Sequence, residues 1–149
     1  MDPNALVGSW HLDRWEVTYG DGRPATLPFG PEATGLIVYG PDGWMNASMS
    51  QPRRKPLSTE SAKFAPAEER LAAFDSFFSY GGRYTISREG DADYVTHHVT
   101  QSVNPSLVGT DQKRRVTFDA DGTLTLAADD TVPTTTISRH HRLRWKRRA

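Results

Sequence analysis

The chain has 149 residues and a mass of 16.6 kDa, enough for one hydrophobic core and too little for two, so a single domain over residues 1–149 is expected. Its 18 basic and 18 acidic residues cancel, which leaves no long-range field to draw in nucleic acid or an anionic membrane. The absence of cysteine excludes a disulfide scaffold, a thiolate metal site and a cysteine nucleophile. The start MDPNALVGSW lacks the basic and apolar regions of a secretory signal, and no apolar run approaches a membrane span, so the expected location is the cytoplasm.

Short runs rich in Val, Ile, Thr, Tyr and Trp alternate with turn signals such as Gly20-Asp21-Gly22, Gly40-Pro41-Asp42-Gly43, Glu89-Gly90-Asp91 and Asp119-Ala120-Asp121-Gly122. They predict eight strands, over residues 7–19, 35–40, 43–50, 82–88, 93–103, 111–118, 122–127 and 134–146. An all-β, antiparallel eight-stranded barrel closes such a set without an open edge, and its mouth can hold one small ligand. One segment departs from the β pattern. Ala67, Leu71, Phe74 and Phe78 are spaced as a helical stripe over residues 66–78, with Pro66 and two glutamates at its start and Gly81-Gly82 as its stop. This short helix lies either across the barrel mouth, with Phe74, Phe77 and Phe78 toward the lumen or its rim, or on the outside of the barrel.

Strand parity sorts the side chains between faces. On the fifth strand Val95, His97, Val99, Gln101 and Val103 share the valine face, which is the interior, and His98 points out. The sixth strand turns Gln112, Arg114, Val116 and Phe118 inward, and the last turns Ile137, Arg139, His141, Leu143 and Trp145. Met45, Ala47 and Met49 face inward on the third strand. A buried guanidinium or imidazole costs several kcal/mol unless it is paired or hydrogen-bonded. His97, Gln101, Gln112, Arg114, Tyr84 and His141 therefore read either as the convergent polar groups of a ligand cavity or as groups that satisfy one another and cap barrel ends.

Gly8-Ser9-Trp10 on the first strand, with Arg142 and Arg144 beside Trp145 on the last, resembles the Gly-x-Trp signature of lipocalins and other calycins. There a basic side chain of the last strand covers the indole at one barrel end, a cation–π contact that also seals apolar surface. A wider set of blocks resembles the bacterial and fungal lipocalin-like domain family over nearly the whole chain: LVGSW, PFGPEATGLIVYGPDGWMNASM, AAFDSFFSYGGRY, VTHHV and NPSLVGTDQKRRV. The resemblance implies a barrel with a small-molecule cavity and no single agreed chemistry.

His97 and His141 could face each other across the lumen, but no carboxylate joins them on the predicted inner faces, so no metal site is expected. No cofactor is expected either: there is no haem attachment motif, phosphate-binding glycine loop or Gly-x-Ser-x-Gly elbow. The basic carboxy-terminal HHRLRWKRRA reads as a solvated strand end. Two functions survive. One is a cofactor-independent isomerase or cyclase acting on a hydrophobic natural-product intermediate. In it His97, titrating near neutral pH, is the acid/base group, Tyr84 is a second proton donor, and Arg114 with Gln101 and Gln112 holds a developing oxyanion. The other is a carrier for an apolar or aromatic molecule. In both, Trp10, Met45, Met49, Phe74, Phe78, Val99 and Phe118 are the expected walls. The oligomeric state is left open.

Overall fold

A computed structural model describes residues 1–148. Eight strands run β1 Gly8–Tyr19, β2 Thr34–Tyr39, β3 Trp44–Ser50, β4 Phe77–Glu89, β5 Ala92–Ser102, β6 Asp111–Phe118, β7 Leu124–Thr131 and β8 Ser138–Lys146. Each pairs antiparallel with the next, and β1 pairs with β8, which closes the barrel in up-and-down order. Closure pairs both edges that an open sheet would expose.

The core is the barrel interior, where Trp10, Leu12, Ile37, Tyr39, Val95, Leu124, Leu126 and Trp145 are buried. At one end the amino-terminal segment folds beneath the barrel and Leu6 is fully buried. The other end is open, ringed by the end of β1, the starts of β2, β4, β6 and β8, and the ends of β3, β5 and β7.

The helix is shorter than its stripe implied. α1 spans Ala67–Asp75, buries no residue, and leaves Leu71 61% and Phe74 50% exposed. It joins β3 to β4 at the open end and sends no side chain into the lumen. Phe77 and Phe78 belong to β4, which starts eleven residues after Pro66 because Phe77–Tyr80 pair with β3 and leave the helix. Gly81 and Gly82 are therefore not a helix stop. They sit inside β4 at a bulge where Gly81 pairs with Gln101 and Gly82 with Val99, so Thr100 is the extra residue. A Cβ on Gly82 would lie 1.9 Å from the His98 carbonyl oxygen, an approach only glycine permits.

Candidate functional site

The two barrel ends use the same strands for different purposes. At the closed end the Trp10 indole donates from Nε1 to the Leu6 carbonyl at 2.8 Å. The guanidinium covering it belongs to Arg147, whose Cζ lies 4.0 Å from the ring centroid and whose Nη2 donates to the carbonyls of Ala5 and Val7. The expected partners, Arg142 and Arg144, are displaced by register: His11 pairs with Lys146, which sets Arg147 level with Trp10, whereas Arg144 and Arg142 oppose Arg14 and Glu16. Gly8 has φ +115°, and a Cβ there would lie 2.5 Å from Arg147 Nη1. The glycine of Gly-x-Trp thus gives the backbone its left-handed turn and the arginine its seat.

Phe118 sits on the same indole, with ring centroids 6.0 Å apart, and is 39% exposed. Trp10 and Phe118 therefore belong to the seal and not to the cavity wall. Met45 and Val99 are buried in the core but do not line the cavity. Tyr84 packs edge-on against Tyr39 and donates from Oη to the Gly40 carbonyl at 2.8 Å, which takes its hydroxyl out of the lumen. Gln101 is exposed, because the extra residue at Thr100 reverses the side-chain alternation beyond Val99.

Above the seal the barrel encloses a cavity of about 430 Å³ open to solvent. Its apolar walls include Trp15, Ile37, Met49, Phe78, Leu126 and Trp145. Of the polar residues expected inside, His97, Gln112, Arg114, Arg139 and His141 line it.

His97 is 2% exposed and held at both ring nitrogens: Nε2 lies 2.7 Å from Tyr39 Oη, and Nδ1 lies 2.6 Å from Tyr80 Oη. Burial first, and the positive Arg114 guanidinium second, push its pKa down to about 3. The imidazole is thus neutral at physiological pH, against the near-neutral titration expected for it. Burial also raises both tyrosine hydroxyls above their ordinary pKa, while Arg114 partly offsets this. Arg114 donates from Nη1 to the Lys113 carbonyl and from Nη2 to Gln112 Oε1, and Gln112 in turn donates to Thr110 Oγ1. It has no carboxylate partner among the described residues.

His141 stands at the mouth in a separate set. Trp15 Nε1 donates to its Nδ1 at 3.3 Å, which leaves Nε2–H to donate to Asp130 Oδ1 at 3.2 Å. Asp130 also accepts two 2.7 Å bonds from Arg139, and this pairing holds its carboxyl below the usual range. The two inward histidines are therefore not a paired site. Nor are the inner faces free of carboxylates: β7 continues to Thr131, past its expected end at 127, and carries Asp129 and Asp130 to the rim.

Tyr39, Tyr80 and Trp15 were not singled out from the sequence. Tyr39 alternates with Ile37 on a buried face and was legible by parity; Tyr80 lay hidden in a segment that read as the end of a helix.

A closed eight-stranded barrel sealed at one end by a tryptophan–arginine pair and hollow at the other is a lipocalin-like barrel, an architecture that suits small-molecule binding. The lipocalin-like domain family matches residues 7–148, and the chain belongs to that family. No curated protein matches the chain.

Proposed function

We propose that the protein binds one apolar or aromatic small molecule inside the barrel. The observation that carries this reading is the cavity itself: about 430 Å³, within the usual range for ligand sites, with apolar walls and a few polar groups among them. The neutral dye 1-aminoanthracene tests it by fluorescence enhancement. Ala128 lines the cavity, so Ala128→Trp should weaken the dye more than tenfold while the melting temperature holds. Binding indifferent to that substitution places the dye elsewhere and overturns the reading. A cytoplasmic setting belongs to this proposal on the sequence reading alone.

A second reading, a cofactor-independent isomerase or cyclase on a natural-product intermediate, is favoured by the Tyr39–His97–Tyr80 chain of hydrogen bonds. There Tyr80, in place of His97, would meet the substrate, and the neutral imidazole would resupply its proton. His97→Gln should then retain ligand and lose turnover; retained turnover removes His97 from the mechanism.

A further inference from the structure

The hydrogen-bond chain Tyr39–His97–Tyr80 fixes what this side of the cavity offers. A neutral imidazole has one donor and one acceptor, so one tyrosine donates its hydroxyl proton to the ring and the other accepts N–H from it. The accepting tyrosine keeps a free O–H. Tyr39 is 1% exposed, does not line the cavity, and has no hydrogen-bond partner other than His97 among the described residues. A free O–H on Tyr39 would be a buried orphan, at a cost of about 1–3 kcal/mol. Tyr80 does line the cavity, where its O–H can meet a ligand. The proton therefore sits on Nδ1, Tyr39 donates to Nε2, and Tyr80 turns its O–H to the lumen.

Arg114 faces the same lumen with donors to spare and without a carboxylate. Gln112, the neighbour that could accept from a ligand, spends Oε1 on Arg114. This side of the cavity thus gathers donors around a guanidinium that no carboxylate pairs among the described residues. The mouth is different, because Asp130 is paired with Arg139 and Asp129 is hydrogen-bonded to His140 Nδ1. A neutral apolar ligand would cover the half-buried guanidinium without offering it an acceptor, whereas a carboxylate fits its planar fork and accepts from the tyrosine hydroxyl as well.

We propose that the ligand is an apolar carboxylic acid, bound with its carboxylate on Arg114 and Tyr80 Oη and its hydrocarbon part against the apolar walls. This rests on the cavity being a small-molecule site. The test is calorimetry at pH 7 with two matched pairs, 2-naphthoate against 2-naphthamide and decanoate against decanamide. At least one acid should bind wild type about tenfold or more tighter than its amide. Arg114→Met, which keeps the stem, should cut that preference below about threefold, Arg114→Lys should restore part of it, and Tyr80→Phe should weaken the acid severalfold. Nitrogen-15 NMR should find the His97 proton on Nδ1.

Amides that bind as well as acids, an acid preference that survives Arg114→Met, or a proton on Nε2 overturns the proposal. If 1-aminoanthracene binds and neither acid does, the acid proposal falls and the cavity reading stands; if none of the probes binds, both fall. Should Arg114→Met fail to fold, the wild-type acid-to-amide ratio and Tyr80→Phe decide.

Discussion

The closed and open ends of the barrel are built from the same strands and spend their polar groups in opposite ways. At the closed end the donors of the seal are directed at the protein's own backbone: Trp10 to Leu6, and Arg147 to Ala5 and Val7, with the guanidinium stacked on the indole. At the open end side chains answer side chains around a void, and two donors, Tyr80 and Arg114, are left facing it. The first end trades polar groups for closure and stability. The second retains unspent hydrogen-bonding capacity, the condition for recognising something from outside.

Breaking the seal should separate the two ends most sharply. Trp10→Ala removes a buried indole and should cost about 3–5 kcal/mol in denaturant unfolding, with the dye affinity of the folded fraction unchanged. A lost affinity at unaltered stability would mean that Trp10 is a cavity wall after all.

Acid should act through the other end. The folded pKa of His97, about 3, lies below the 6.5 of a free imidazole, so as pH falls the unfolded chain takes up its proton first. The stability that goes with the neutral ring is complete above about pH 6.5 and is lost progressively toward pH 3, by a few kcal/mol in all. Unfolding curves of wild type and His97→Gln should converge in slope over that window if His97 is not its source, and diverge if it is. The smallest effect belongs to the clamp: Arg147→Met should cost about 1 kcal/mol, and Arg142→Met, at an exposed site, less than about 0.5 kcal/mol in the same assay. Equal costs would remove the distinction drawn between them.

Parity read most of the barrel correctly where strands are regular. Ala47 and Met49 on β3, Gln112 and Arg114 on β6, and Arg139, His141, Leu143 and Trp145 on β8 all reach the cavity as alternation requires. It failed where a bulge inserts one residue, so Gln101 turned out to solvent, and where a strand ran on beyond its expected end, so Asp129 and Asp130 reached the rim unforeseen. The stripe at Ala67, Leu71, Phe74 and Phe78 was split because pairing with β3 holds Phe78 in β4, while Leu71 and Phe74 remain exposed on the helix.

The strand count, the closed-barrel class and the inward set containing His97 and Arg114 follow from local pattern, because turn chemistry and period-2 alternation are properties of neighbouring residues. Three features arise only once the barrel has closed. Which arginine covers Trp10 depends on the β1–β8 register, formed by residues more than a hundred positions apart. That His97 is clamped by Tyr39 and Tyr80 depends on three strands meeting around one ring. That the imidazole is neutral depends on its burial and on the Arg114 charge beside it, and neither desolvation nor a through-space field is written in the order of the residues.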